Sequence, residues 1–339
     1  MRESPHIIHP VQLGPLRLAG NLVLAPMHKR THLAFRLLAR RAGAALTHTE
    51  MATPRDLLGA SGPRKAANIL ACDPDDRPLG VQIVPKEPGP LIEAIASVAE
   101  RSAGDLVDLN FACPSRRVAG SGRGAAFLQE PEKAVPLVEA AVRASRLPVT
   151  LKMRYGWTDS PDHRERALEL ARGAAAAGAV GITLHARSAV QQYHGRADWP
   201  AIARWAEVLA PVPVFGSGDL RSPEAVLEML RETGCAGASI ARGAVGAPWI
   251  FRQVLELAAT GSYRPVTMEE RGQAFLGHYR GLTEQYGDEG GLRMIRQIGR
   301  MYTRGIAGAT EARVAIQEAR SRADIEQIAA RWFREAPSI

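Results

Sequence analysis

Cysteine is scarce in this chain. The three that occur, Cys72, Cys113 and Cys235, stand at unrelated spacings in 339 residues. That excludes a disulfide framework and a Cys-x-x-Cys metal site and fits a reducing cytoplasm, so no metal is expected. No apolar run approaches the roughly 18 residues of a membrane span, and the first residues, Met1-Arg2-Glu3-Ser4-Pro5-His6, hold no apolar signal core. A soluble cytoplasmic protein without a membrane partner is the expectation. Also missing is a Gly-x-Gly-x-x-Gly after the first apolar run, which argues against a dinucleotide-binding doubly wound sheet. Acid is in deficit: 43 Lys+Arg against 35 Asp+Glu leave a net charge of +8. A polyanionic partner is favoured, although basic surface alone speaks to solubility and association rather than to specificity.

What is present is repetition. Eight short apolar runs, Asn21–Met27, Ala44–Met51, Leu79–Val84, Leu106–Phe111, Val149–Arg154, Gly181–Arg187, Val212–Gly216 and Gly237–Arg242, are separated by amphipathic Ala/Leu/Arg-rich segments. Strands alternating with helices at this spacing mean βαβ units and a parallel sheet. Eight such units closing on themselves make a (β/α)₈ TIM barrel, whose usual length of about 250 residues matches the span from residue 1 to roughly residue 255. The open doubly wound sheet is the alternative. Val11–Gly20 alternates around Gly14-Pro15, which suggests a hairpin capping the barrel's bottom. Around Thr260–Pro265 the alternation stops, and from Met268 to Phe333 the periodicity is helical only, with breaks near 287–291 and 305–307. Two units are expected: residues 1–258 as a barrel carrying the site, and 259–339 as a small helical domain. Within the latter, Arg293, Arg296, Arg300 and Arg304 fall on one helical face. A solvated face is the bland explanation, but acidic residues do not interleave there.

Active sites of such barrels lie at the C-terminal strand ends. Those ends present Pro26-Met27, Glu50-Met51, Gln82, Asn110 with Cys113, Lys152 with Arg154, His185 with Arg187, Gly216-Ser217-Gly218-Asp219 and Ala241-Arg242-Gly243. A structural barrel would need few polar groups at these positions, since burying them without partners costs free energy. The loops after strands seven and eight are the usual phosphate cradle, and Gly216, Gly218, Arg242 and Gly243 suit that need. Glycine at tight turns for steric reasons is the plainer account. Lys152 and Gln82 point toward the barrel axis, where a lysine needs an anionic partner. The N1–C2=O edge of a flavin supplies one; a Schiff-base lysine is the competing reading.

Taken in order, Leu24-Ala25-Pro26-Met27, Thr49-Glu50-Met51, Val81-Gln82-Ile83, Asp108–Pro114 with Gly122, Gly124 and Ala125, Leu151–Trp157, His185-Ala186-Arg187 running to Trp199, Gly218-Asp219, Arg242-Gly243 and Pro248–Phe251 resemble the dihydrouridine synthase family, which reduces uridine in folded RNA. The similarity runs over essentially the whole chain. It implies an FMN-containing barrel, NADPH as reductant, and a helical domain that helps hold RNA, with tRNA the expected substrate. It further implies that Met27, Gln82, Lys152, His185, Gly218 and Arg242 contact FMN beside Pro26, Ser217, Asp219 and Ala241. Asn110 and Arg187 would lie near the uracil, and Cys113 would give the proton to C5 while hydride reaches C6. A thiol of ordinary acidity is protonated at neutral pH and suits that role. The base must be turned out of its stack to react, so Arg293, Arg296 and Arg300, with Arg116, Arg117 and Arg123 at the rim, would hold phosphates.

The sequence departs from the family after Pro26-Met27. Where a small Ala-Gly pair and Thr-Asp are usual, it has His28-Lys29-Arg30-Thr31-His32, a bulky pair expected beside the flavin. Ala112 replaces a glycine and Ser217 an asparagine. Cys72 and Cys235 read as incidental, and Tyr193 and Trp199 as packing for the loop after strand six. A ribosomal RNA substrate, a small-molecule flavin dehydrogenase related to dihydroorotate dehydrogenase, and a non-catalytic RNA-binding protein are the rival readings. A monomer is expected.

Overall fold

A computed structural model describes residues 7–334; residues 1–6 and 335–339, at the outer ends of the two expected units, lie outside it. Ten strands form. Strands β1 (Val11–Leu13) and β2 (Leu16–Leu18) pair antiparallel as the anticipated hairpin. The others are β3 (Leu22–Leu24), β4 (Thr47–His48), β5 (Leu79–Ile83), β6 (Leu106–Phe111), β7 (Val149–Arg154), β8 (Gly181–His185), β9 (Val214–Ser217) and β10 (Gly237–Ile240). They run in one parallel sheet ordered β3-β10-β9-β8-β7-β6-β5-β4. A parallel bridge between Val23 and Leu46, with the Leu24 N–H donating to Leu46 O at 2.9 Å, brings the two outer strands together. The architecture is a (β/α)₈ barrel followed by a helical region.

Helix starts are written in proline. Ser160-Pro161 and Ser222-Pro223 each place a side-chain cap just before a proline at the first helical turn, where its missing N–H costs nothing and its fixed φ suits the helix. Strands β5, β6 and β7 are buried along their whole length, as parallel strands covered by helices must be. Their period of two is inverted relative to a half-exposed strand. Val81, Ile83, Val107, Leu109, Leu151 and Met153 belong to the main apolar core, while Gln82, Asp108, Asn110, Thr150 and Lys152 occupy the alternate positions and face one another in register.

The final region builds its own apolar cluster from Phe275, Tyr279, Leu282, Ile295, Tyr302, Ile316, Ile325 and Phe333. Helix Met268–Gly299 opens on a Thr267/Glu270 capping box and breaks at Gly287, whose φ of 75° and ψ of 169° are non-helical. Helices Ala309–Glu318 and Arg322–Trp332 follow the second break. Helix Leu33–Arg41 packs against Met268–Gly299. At that seam His32 Nε2 lies 3.2 Å from His278 Nε2, and His278 Nδ1 lies 2.9 Å from the Tyr302 hydroxyl.

Both histidines are fully buried. Burial, reinforced by Arg30, lowers the His278 pKa to about 3, and burial with His278 and nearby arginines holds His32 well below its usual range. An unfolded histidine takes its proton near pH 6.5, so the folded state should lose stability as pH falls from about 6.5 toward 3, by up to about 1.4 kcal/mol per pH unit for each ring. Urea unfolding at pH 7 and pH 5 should show a larger drop for the parent protein than for His278→Gln; equal drops would mean that the pair is not held neutral.

Candidate active site

A cavity of about 620 Å³ opens at the C-terminal ends of the barrel strands, and Met27, Gln82, Asn110, Cys113, Lys152, His185 and Arg242 all line it. Its floor is a directed hydrogen-bond chain. Asp108 accepts from Thr150 Oγ1 at 2.8 Å and from Gln82 Nε2 at 2.7 Å. With its amide nitrogen thus engaged, Gln82 turns Oε1 to accept from Asn110 Nδ2 at 2.8 Å. Asn110 Oδ1 then accepts from the Ala112 and Cys113 N–H groups at 3.0 and 2.9 Å. The carboxylate, which can only accept when ionised, and the two backbone N–H groups, which can only donate, together fix the sense of every bond between them and hold the turn that carries the thiol. Cys113 is partly buried, with Sγ 3.4 Å from Ser115 Oγ.

The same turn is clamped from outside. Arg154 Nε donates to Ala112 O at 2.9 Å, and the Ala125 N–H donates to Cys113 O at 3.1 Å. Gly124 makes the second contact possible: its φ is +58°, and a Cβ there would sit 2.8 Å from Cys113 O.

Cation density on the cavity wall is high. Burial, then the charge of Arg154, lowers the Lys152 pKa to about 8 against the pull of Asp108. Asp108 is already engaged by Gln82 and Thr150, which leaves the ammonium suited to an outside anion. Burial pushes Arg154 down to about 10, and burial with Arg154 and Lys152 holds His185 well below its usual range. His185 is therefore a neutral imidazole at physiological pH.

A second hollow of about 110 Å³ adjoins the first and is lined by Ser217, Gly218, Asp219, Ala241, Arg242 and Gly243. Gly218 has φ +127°, and a Cβ on it would lie 2.7 Å from that of Ala197; a Cβ on Gly243 would lie 2.2 Å from Leu220 O. These close backbone approaches leave a small cradle beside the guanidinium groups of Arg242 and Arg221. Pro26 lines both hollows. Gly216 does not contribute: a Cβ there would meet Met229 Sδ at 2.5 Å, so this glycine serves strand-to-helix packing.

Several expected residues lie elsewhere. Arg187 is 1% exposed and spends its guanidinium on Asp219 at 2.6 Å, Gly195 O at 2.6 Å and His194 O at 3.1 Å; it is not brought to the cavity beside Asn110. Burial raises the Asp219 carboxyl, but Arg187 and the Ala197 N–H outweigh that and hold it below its ordinary value. The arginine row diverges, and its helix ends at Gly299, before Arg300 and Arg304. Arg293 lines a separate groove with Arg64, Lys65 and Tyr286, Arg296 Nε donates to Ala319 O at 2.7 Å, and Arg300 is exposed near Arg30. Arg116 and Arg117 are exposed on the short helix after Cys113.

Lys29 does not crowd the cavity. Exposed, it takes a φ of 56°, which fits a position where glycine is usual and costs a side-chain-bearing residue of order 1 kcal/mol. Its N–H and the His28 ring both bind Glu50, at 3.0 and 2.9 Å, and His28 lines the cavity. Tyr193 is not loop packing: it is 54% exposed, lines both hollows, and sits under Arg242 at 4.5 Å. Met301 and Arg304, from the turn after the long tail helix, also wall the cavity. No periodicity in the sequence announces that the tail closes the barrel's mouth.

Solved structures with the same barrel include histamine dehydrogenase from Rhizobium sp. 4-9, at TM-score 0.58 and 15% identity over 81% of this chain, and an amine oxidase from Pseudomonas geniculata N1, at 0.57 and 13% over 79%. The chain spans about half the length of each, 51% and 52%, and the likeness defines the fold. The sequence goes further: residues 23–336 match the Dihydrouridine synthase (Dus) family. Among relatives, a probable tRNA-dihydrouridine synthase of Treponema pallidum is 34% identical over 90% of this chain and 91% of its own, and tRNA-dihydrouridine synthase B of Pseudomonas aeruginosa is 35% identical over 89% and 90%. The chain belongs to the dihydrouridine synthase family and is an oxidoreductase.

Gly124→Ala should force the Cys113 turn outward at a cost of about 1–3 kcal/mol and speed alkylation of Cys113 by a small maleimide in a Cys72→Ser background. Labelling at the parental rate would mean that Gly124 does not set the thiol's position.

Proposed function

We propose that this protein reduces the C5=C6 bond of a uridine in tRNA, with FMN as cofactor and NADPH as reductant. The observation that carries the reading is the thiol of Cys113, held by Asn110 in the wall of the same cavity that holds buried Lys152. The residues suit FMN. The larger cavity offers an unpaired buried ammonium for the electron-rich edge of the ring, and the adjoining cradle of Ser217, Gly218, Asp219, Ala241, Arg242 and Gly243 offers backbone approach and a guanidinium for its phosphate. When bound there, FMN would supply the hydride chemistry that couples oxidation of NADPH to reduction at C6 of the uracil.

The chain's own residues do the rest. Cys113 Sγ gives its proton to C5, so that one hydride and one proton saturate the ring. Asn110 and the Arg154 clamp hold that sulfur in place, and neutral His185 and Gln82 offer hydrogen bonds without competing for the proton. Met27 and Pro26 supply apolar wall. Residues 259–339 form the unit proposed to grip the RNA, with exposed Arg293 and Arg300 positioned for phosphates, while Arg296 works inside that unit. Unstacking the target base is the cost of access, and the net charge of +8 offsets it by drawing in the polyanion.

Cys113→Ala should retain FMN by absorbance yet lose dihydrouridine formation by at least about 100-fold, in line with loss of a general acid; full activity would overturn the assignment. Because Lys152 loses its proton near pH 8, FMN affinity of the apoprotein should hold steady below about pH 8 and weaken above it, by up to tenfold per pH unit. Lys152→Met should bind more weakly with no such bend, whereas a flat parental profile would remove the lysine from the flavin site.

A further inference from the structure

Four arginines gather at the cavity's edge from parts of the chain far apart in sequence. Arg30 follows β3, Arg221 follows β9, and Arg300 and Arg304 belong to the end of the long tail helix and the turn beyond it. Arg30, Arg221 and Arg304 line the larger cavity. Arg221 also borders the phosphate cradle, whereas Arg30 and Arg304 do not. The charges feel one another: burial and then Arg300 lower the Arg30 pKa, and burial followed by Arg221, Arg313 and Arg300 lowers that of Arg304.

Elsewhere the protein pairs its arginines readily, as in Arg204 with Glu165 at 3.1 Å, Arg252 with Glu256 at 2.8 Å and Arg322 with Glu326 at 2.9 Å. Among the described residues none of the four takes part in an ion pair; Arg30 makes one long bond, to Gln297 O at 3.4 Å. Like charges held together without a carboxylate destabilise the resting protein and favour an anion between them. A phosphate in the cradle would answer Arg242 and Arg221, which leaves Arg30 and Arg304 unmatched.

We propose that Arg30 and Arg304 form a second phosphate seat that takes the 5′-phosphate of a ring–ribose–phosphate unit whose ring lies in the cavity. The proposal rests on the function proposed above. A cofactor that accepts and delivers hydride at one ring atom allows donor and acceptor to occupy the same place in turn. The nicotinamide mononucleotide half of the reductant and a nucleotide of RNA have the same layout, a flat ring, a ribose and a 5′-phosphate. One seat outside the cofactor's own cradle thus serves both half-reactions.

The test uses the full-length holoprotein, Arg30→Gln and Arg304→Gln, with Arg30→Lys as the charge-preserving control. FMN content should be unchanged and the melting temperature equal or higher, because repulsion is relieved. By calorimetry the parent should bind uridine 5′-monophosphate at least about tenfold more tightly than uridine, the worth of one charged hydrogen bond. Both glutamine variants should erase that difference, and Arg30→Lys should restore part of it. In kinetics the KM for reduced nicotinamide mononucleotide and the KM for unmodified tRNA should both rise about tenfold, with reduced nicotinamide riboside unaffected. Equal binding of the two uridine ligands by the parent, or a rise in one kinetic arm alone, would overturn the shared seat. A parent that forms no dihydrouridine would instead strike the proposed function, since the calorimetric comparison needs no turnover.

Discussion

Everything at the mouth of this barrel depends on one buried carboxylate. Asp108 is 2% exposed and directs a line of amides, Gln82 then Asn110, that ends on the backbone of Cys113. Each amide could face either way in isolation. An acceptor at the base of the line and two N–H donors at its far end remove that freedom, so that Gln82 presents its nitrogen downward and its oxygen upward. The barrel interior, which in a purely structural protein would be filled by branched apolar side chains, is used here to transmit the orientation of one group across two neighbouring strands to a thiol.

Electrostatics supplies the second constraint. Lys152, Arg154 and Arg242 share one wall with a histidine kept neutral by burial and then by their charges, and Arg30, Arg221 and Arg304 stand at the edge. Such an arrangement is unfavourable in an empty protein and favourable around anions. Stability is thus held in reserve against binding, and the stabilising work falls on the apolar layer between strands and helices and on the separate tail cluster. The buried Arg36–Asp76 pair, at 2.8 Å, shows the contrasting use of charge: Arg36 also binds Thr31 O and Ala71 O, and ties the loop beyond Met27 to the scaffold.

Most of the barrel was legible because strand–helix alternation is a local signal. The eight runs, the hairpin at Gly14-Pro15 and the breaks at Gly287 and Gly305 correspond to observed elements or turns. Runs such as Ala44–Met51 shrink to the two residues of β4, and beyond it the chain stays beside β5 only through separate contacts, among them the Thr49 N–H to Gly80 O bond at 2.9 Å and a parallel bridge between Ala52 and Ile83. Strand-end reasoning located Gln82, Asn110 and Lys152, which lie within strands. The place of Arg187 near the uracil came from the family resemblance alone; in the structure its N–H bonds back to His185 O at 2.7 Å and its guanidinium is taken by Asp219. Neither signal had a bearing on Tyr193, Met301 and Arg304, whose places come from loop closure and the docking of the tail. The arginine spacing was real, but helical geometry stopped at Gly299, before Arg300 and Arg304, and its members serve three different tasks.

The most direct measurement is a single-turnover comparison of Asp108→Asn with the parent, following flavin reduction by NADPH and uridine reduction in tRNA as separate steps. Asparagine keeps one acceptor oxygen and replaces the other with a donor, so the bonds from Gln82 Nε2 and Thr150 Oγ1 can no longer both be accepted by a charged group, while the cavity wall keeps its residues. The account predicts normal flavin content, flavin reduction within about twofold of the parent, and uridine reduction slowed by at least about tenfold, the worth of one misplaced charged hydrogen bond. Uridine reduction at the parental rate would contradict it, because the thiol would then owe its position to something other than the buried carboxylate.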